Sequence, residues 1–490
     1  MLFESLDVET LKKIKSAHLL GVGGAGMSGL ALLLEEMGLR ISGCDATITC
    51  YAQKLKEKGI EVALGHDVKH LDLYSPDIVI YSSAIPEGNG EMSQAIVRGI
   101  PVMKRAEILS LIFNCKRGIG IAGTHGKTTT TSMISMILEV AGLEPTMAIG
   151  GEVTDIGGNA KLGKGDYMVC ELDESDRAFE LFRPAMTVIT NIDWDHVNMY
   201  PSLLEVIHVF KRFVNCRKDG APLVLCGEDK GTQLLMEHID RSKGKIITYG
   251  FGDDWDWGAK ELRPKFGGGI SCTVMHNGAD VGMLDLAVSG EHNVLNALAA
   301  CAVSHELGIP FEVCRSVLGC FRGAKRRLQH LESYSGIDFF DDYGHHPREI
   351  EATLRALKSI FPGRRIVVIF QPHRYTRTAA MYREFARALA EVDFLLLMPV
   401  YPADERQIDG VSSELIAREL RDNLNFRNLL TCYGDVSEED AIGTVGELLE
   451  AGDLLLTLGA GDVDLFGERV LEAVKAKARL GTPITASAKA

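Results

Sequence analysis

The chain lacks any unbroken apolar stretch of about 18 residues, so no membrane-spanning helix is expected in its 490 residues. It lacks basic runs too, and its formal net charge is −15. That combination excludes a nucleic-acid partner held on a cationic face. Small anionic substrates are not excluded, because they need only local positive groups. The 11 cysteines never form a Cys-x-x-Cys pair, and several sit inside apolar stretches. They read as small buried hydrophobes in a reducing compartment rather than as disulfides or zinc ligands. Internal repeats and low-complexity blocks are also missing. The first residues, Met1-Leu2-Phe3-Glu4, lack the basic-then-apolar order of a signal peptide, so a cytoplasmic location is expected.

What is present is ordinary for a globular protein, with 46% hydrophobic and 24% charged residues. The length exceeds a single core and predicts about three domains. Strand-like and helix-like patterns alternate throughout, which predicts an α/β fold. Segment 1–115 holds about five strands and reads as Rossmann-like. Segment 116–320 opens on a phosphate-loop pattern and reads as a central P-loop ATPase-like parallel sheet. Segment 321–490, with strands at 337–340, 366–370, 394–398 and 454–458, reads as a C-terminal Rossmann-like domain. The small, polar end after Lys477 reads as disordered.

The run Gly123-Thr124-His125-Gly126-Lys127-Thr128-Thr129 is the most informative stretch. An apolar strand at 119–122 precedes it and a helix is expected over 131–141. A strand, a glycine turn and Lys-Thr at a helix start aim backbone N–H groups and a helix dipole at phosphates. Lys127 adds a point charge, and the Thr128 hydroxyl suits Mg²⁺. The general P-loop wants a glycine at position 121, where this chain has Ile121, so the loop is a shorter variant.

An earlier loop, Gly21-Val22-Gly23-Gly24-Ala25-Gly26, fits G-x-G-x-x-G after a strand, with Asp45 ending the next strand. Alone it predicts a nicotinamide or flavin enzyme, yet any diphosphate within reach of the helix start would fit, a nucleotide sugar included. Two acidic clusters, Glu171-Leu172-Asp173-Glu174 and Asn191-Ile192-Asp193-Trp194-Asp195-His196, follow strands. Beside a phosphate loop they would gather Mg²⁺, and Mn²⁺ should substitute well if His196 is a ligand. Asn293, in Glu291-His292-Asn293, is either a helix cap or an adenine contact. In the last segment, Asp341-Asp342-Tyr343-Gly344-His345-His346-Pro347 and Gln371-Pro372-His373-Arg374-Tyr375-Thr376-Arg377 close two strands. Arg374 and Arg377 are spaced to hold one anion, and arginine suits a carboxylate.

These motifs together resemble the Mur ligase family over essentially the whole chain, from Gly21 to Asp462, and most closely its alanine-adding branch. The resemblance implies a ligase that uses ATP and Mg²⁺, with UDP-N-acetylmuramate and L-alanine as substrates and a monomer or homodimer as the assembly. It implies that Lys127 and Thr128 bind phosphate and metal, and that Glu171 and His196 are metal ligands. His292, Asn293, Asn296, Arg326 and Asp342 would serve ATP. Tyr343, His345, His373, Arg374 and Arg377 would surround the amino acid and the acyl group. The first domain, with Gly23, Gly24, Ala25, Gly26, Asp45, Ser82, Ser83 and Arg105, would hold the UDP-sugar, and Glu174 would face it. Closure is expected about a hinge near Phe321, and His345 or Asp342 could take the amine's proton.

Two departures and three rivals stand beside this, one rival being a non-enzymatic nucleotide-sensing protein on the same scaffold, against which Lys127, Glu171 and His196 are all kept. Later-acting sister ligases use a carbamylated lysine, and Lys211 lies near that region, but the alanine branch does not look as though it needs one. Asp404 stands where the family usually shows glycine. A recycling ligase that attaches a preformed peptide shares many motifs but more often shows Phe at the place of Tyr343. A dehydrogenase reading leaves the loop 123–130 unexplained.

Overall fold

The computed structural model describes residues 13–479 except 177, 404, 434 and 435. The glycine-to-Asp404 departure and the tail from 480 onward lie outside the described residues. Three sheets organise the rest. The first has five parallel strands in the spatial order Glu61–Leu64, Arg40–Asp45, Ser16–Leu20, Ile78–Tyr81 and Val102–Lys104. That order is the Rossmann half-fold, and its strands are near-continuous apolar runs because helices cover both faces.

The central sheet has ten strands and corrects the all-parallel expectation. Seven strands, from Trp257–Pro264 across to Thr146–Val153, run parallel. Antiparallel pairings add Ile270–His276 and Ala279–Leu286 at one edge and Gly158–Lys161 at the other. These edge strands alternate polar and apolar residues and are joined by tight turns, the pattern of half-exposed hairpins. The third sheet is ordered Gln329–Tyr334, Ile337–Asp342, Leu454–Leu458, Ile366–Phe370, Phe394–Leu397 and Leu429–Thr431, parallel except for its first strand.

The phosphate-loop helix spans Lys127–Val140, beginning four residues before the expected start at 131. The run Lys127–Thr131 is buried against the helix Glu291–Glu306, so tertiary packing overrides the weak helix propensity of four consecutive threonines. Ile134, Ile137 and Leu138 meet Val294, Ala297 and Cys301 in one core.

The lobes touch through specific contacts. Asn159 Nδ2 donates to the Ala25 carbonyl (2.5 Å), Glu36 accepts from the Leu162 amide (2.6 Å), and Lys54 pairs with Glu152. Between the second and third sheets the chain reverses through Arg326 (φ 57°) and Leu328 (φ 45°). Phe321, the expected hinge, is fully buried, and the left-handed turn a few residues later makes the change of direction.

Candidate active site

Strand Arg117–Ala122 lies between Met186–Ile189 and Tyr167–Glu171, so three strand ends converge on one point. Open parallel sheets bind ligands at such carboxyl ends. Gly123 (φ 142°) turns the chain there, and a side chain on it would collide with the Thr190 hydroxyl. Gly126 (φ 78°) caps the helix in the left-handed region, where a Cβ would sit 2.7 Å from Asn296 Oδ1. The helix has no side-chain cap, so its first amides face outward for an anion.

The segment after the next strand pins this loop. The Asn191 carbonyl and Oδ1 accept from the Thr124 and His125 amides (3.1 and 2.8 Å), and the Thr190 hydroxyl donates to the His125 carbonyl (2.6 Å). His125 lies 3.4 Å from Asp193 and 3.3 Å from Glu349. Burial opposes its charge, but hydrogen bonds to those two carboxylates outweigh it and lift its pKa to about 9. His125 is therefore an imidazolium at neutral pH, a second cation in the loop.

Lys127 Nζ donates to the Gly123 carbonyl (2.5 Å) and to Glu174 Oε2 (2.9 Å). Burial works against its charge, yet Glu174, Asp173 and Glu171 together hold its pKa above the usual lysine range. The Thr128 hydroxyl lies 3.2 Å from Glu171 Oε1, whose other oxygen accepts from the Gly150 amide (2.7 Å). His196 lies 4.0 Å from Asp173 and 3.9 Å from Glu174, and the ligand atoms of these three are all within 4.8 Å of one another. Glu174 Oε1 is buried without a hydrogen-bond partner among the described residues. An unpaired carboxylate oxygen in an oxygen-rich set fits a hard divalent cation. Thus the structure groups Thr128 with Glu171, and His196 with Asp173 and Glu174, while Glu174 is engaged by Lys127 and does not line the first-lobe cavity.

Two cavities flank this centre. One, of about 250 Å³, is lined by Gly24, Gly26, Ser82, Ser83 and Arg105 and ends at Glu171 and Asp173. Gly23, Ala25 and Asp45 build the loop instead of lining it. Asp45 Oδ2 accepts from the Gly23 amide (2.8 Å), and the Ala25 carbonyl accepts from Asn159 and Ser28. The other cavity, of about 310 Å³, lies between the second and third lobes and is lined by Gly126, Thr129, His292, Asn293, Asn296 and Asp342 among others. Asn296 accepts from the Thr130 hydroxyl (3.1 Å), and Asn293 Nδ2 donates to the Ser289 carbonyl (2.7 Å).

Arg326 does not enter that cavity. Its guanidinium is spent on Asp341 (2.9 Å) and the Gly459 and Gly461 carbonyls (2.8 and 3.0 Å). Arg327 enters in its place. The adjacent-arginine pair concealed which of the two points inward, because the left-handed turn at Arg326 sets it.

In the third lobe, His346 caps the helix Pro347–Ile360 in a capping box with Glu349. His345 Nδ1 lies 3.0 Å from the Tyr343 carbonyl, so it donates there and leaves Nε2 as an acceptor. Burial drives the pKa of His345 down to about 4 and that of Asp342 up to about 6. The rings of Tyr343, His345 and His373 form a row with centroids 5.4 and 5.7 Å apart. Arg374 sits at φ 71°, 3.7 Å from Glu405. Arg377 differs most from its expected role. Its buried guanidinium binds both oxygens of Asp195 (2.7 and 3.0 Å) and is not open to a substrate carboxylate. Asp195 also accepts from the His196 amide (2.6 Å), so the pair links the third lobe to the acidic cluster. The second acid of Asn-Ile-Asp-x-Asp-His was the available signal for it.

Three family models match consecutive stretches of the chain: Mur ligase family catalytic domain over 16–117, Mur ligase middle domain over 121–304, and Mur ligase glutamate ligase domain over 326–461. The chain belongs to the Mur ligase family. Among curated relatives, this Mur ligase is 40% identical to a UDP-N-acetylmuramate–L-alanine ligase of Nitratidesulfovibrio vulgaris, covering 93% of this chain and 98% of the relative. It is 41% identical to the same-named enzyme of Desulfosudis oleivorans, covering 94% and 98%. The solved UDP-N-acetylmuramate-alanine ligase of Thermotoga maritima superposes with a TM-score of 0.79 at 29% identity, covering 95% of this chain and all (100%) of that one. A murein peptide ligase of Psychrobacter arcticus shares the fold, with a TM-score of 0.70 at 24% identity over 94% and 98%. Membership in this family removes the dehydrogenase reading of the first glycine loop.

Proposed function

We propose that the protein is a ligase of peptidoglycan precursor synthesis that joins L-alanine to the carboxylate of UDP-N-acetylmuramate while ATP is cleaved to ADP and phosphate. The lobes 1–115, 116–320 and 321–490 hold the sugar nucleotide, ATP and the amino acid. The observation that carries this reading is the loop Gly123–Thr129 lying between the two cavities, with the acidic cluster at the end of the first.

A carboxylate is a poor electrophile and needs activation. In the proposed sequence a muramyl carboxylate oxygen bonds to the γ-phosphorus and ADP leaves. The alanine nitrogen then bonds to the acyl carbon, the carbon–oxygen bond to phosphate breaks, and one proton leaves the amine. Lys127 neutralises charge on the transferring group, and the helix amides after Gly126 orient it. Magnesium, or manganese in its place, would be held by Thr128, Glu171 and His196, with Asp173 and Glu174 in reach, and would supply further charge neutralisation. His292, Asn293 and Asn296 line the nucleoside cavity with Arg327. Arg327→Ala is expected to raise the KM for ATP about 10–100-fold while leaving the KM for alanine within a factor of about two; equal increases for both would remove Arg327 from the nucleotide site.

Tyr343, His345, His373 and Arg374 surround the place for alanine. The proton acceptor can be read from pH dependence. Asp342, with a pKa near 6, gives an acid limb in kcat/KM for alanine that falls below about pH 6. His345, with a pKa near 4, keeps the rate level down to about pH 4. The free Nε2 of His345 favours the second outcome, and a limb near 6 that vanishes in Asp342→Asn would overturn it.

Supplying either free L-alanine or a murein tripeptide with UDP-N-acetylmuramate and ATP tests the assignment. Product formation with alanine and not with the tripeptide supports it; the reverse preference makes this a recycling ligase.

A further inference from the structure

We propose that the first lobe carries a zinc site formed by His18, Cys44, His70 and Glu91, none of which lines either cavity above. The four come from four elements: the strands Ser16–Leu20 and Arg40–Asp45, and the helices Lys69–Tyr74 and Gly90–Val97. His18 pairs with Ser42 and Leu20 with Cys44 along adjacent parallel strands. Side chains two apart share a face, so His18 and Cys44 emerge together beneath the two helices.

Distances match a coordination shell. His18 Nε2 lies 2.9 Å from Glu91 Oε1, Cys44 Sγ 3.4 Å from Glu91 Oε2, and His70 Nδ1 3.3 Å from the same oxygen. All four ligand atoms fall within 4.8 Å of one another. Tetrahedral zinc with ordinary bonds to nitrogen, oxygen and sulfur has ligand–ligand edges of about 3.3–3.8 Å, so small adjustments suffice.

The second observation is the burial of two of the four ligands. His18 and Glu91 are fully buried and meet directly, His18 Nε2 lying 2.9 Å from Glu91 Oε1. His18 Nδ1 lies 2.8 Å from the Ser42 hydroxyl. The Ser42 hydroxyl can donate to Nδ1 while Nε2–H donates to Glu91, and zinc would take the Nε2 position as the ring proton moves to Nδ1, where Ser42 accepts it. Burying Glu91 alone is costly, whereas a dication with one carboxylate and one thiolate is electrically neutral. Thiolate and imidazole donors favour zinc over magnesium or calcium.

Burial, reinforced by Glu91, pushes the Cys44 thiol above the usual range, so the metal-free site holds a neutral thiol. Zinc binding forms the sulfur–metal bond and releases that proton to solvent. His66 Nδ1, 3.1 Å from Cys44 Sγ, is placed to hydrogen-bond the sulfur. The Cys44 carbonyl accepts from the Gly21 and Val22 amides (2.9 and 3.2 Å), so the site fastens the base of the first glycine loop to two helices.

The test uses the full chain stripped of metal by a chelator and titrated with Co²⁺. One equivalent should produce tetrahedral d–d bands and a near-ultraviolet thiolate-to-cobalt charge-transfer band, both bleached by Zn²⁺. Cys44→Ser should abolish the charge-transfer band, and His196→Ala, in the acidic cluster of the second lobe, should leave it intact. His70→Ala, at the half-buried edge, should keep the native circular dichroism and weaken cobalt binding by at least about tenfold. No charge-transfer band in the parent protein, a band that survives Cys44→Ser, or unchanged affinity in His70→Ala overturns the site.

Discussion

Lys127→Ala is expected to lower ATP-dependent phosphate release by about 10³-fold or more, measured with UDP-N-acetylmuramate and L-alanine at saturation. Three carboxylates, Glu171, Asp173 and Glu174, face this one ammonium. The ammonium is held by Glu174 and two loop carbonyls. Removing it leaves a site whose net charge repels a triphosphate, so both binding and turnover suffer. His125 cannot compensate, because its charge is already committed to Asp193 and Glu349. Near-normal turnover in this variant would remove the loop from the chemistry.

The second large effect is at Arg377. Breaking its buried bidentate pair leaves Asp195 charged and unpaired, a loss of about 3–5 kcal/mol by the usual cost of such a deletion. Arg377→Ala should therefore reduce kcat by about 10²-fold or more, because the third lobe loses its hold on the segment bearing His196. It should also lower the urea midpoint. Arg377→Met combined with Asp195→Leu should restore much of the lost stability, since the stranded charge is gone, while activity stays low. An Arg377→Ala variant with normal kcat and stability, and only a raised KM for alanine, would return this residue to the role of a carboxylate clamp.

Most of the architecture was legible because each strand is a short apolar run followed by a turn and a helix. The central sheet's edges were not, since the half-exposed hairpin strands alternate polar and apolar residues and contribute little hydrophobic signal. Charged motifs at strand ends were legible as a site, for sequence proximity to a strand end is spatial proximity in an open sheet. Partner choice was not. Whether Arg377 meets a substrate or Asp195 depends on how two lobes approach, and whether Arg326 or Arg327 faces the cavity depends on one left-handed residue. The His18, Cys44, His70 and Glu91 cluster was invisible for a related reason. Its members are scattered over four elements, without the close cysteine spacing that announces a zinc site.

The most direct measurement of the central claim follows oxygen. UDP-N-acetylmuramate carrying heavy oxygen in both positions of its carboxylate is turned over with ATP and L-alanine, and the released phosphate is weighed by mass spectrometry. Activation through an acyl phosphate predicts one heavy oxygen in every phosphate and one kept in the new amide. Phosphate free of label, with alanine nevertheless joined to the sugar, would contradict the account.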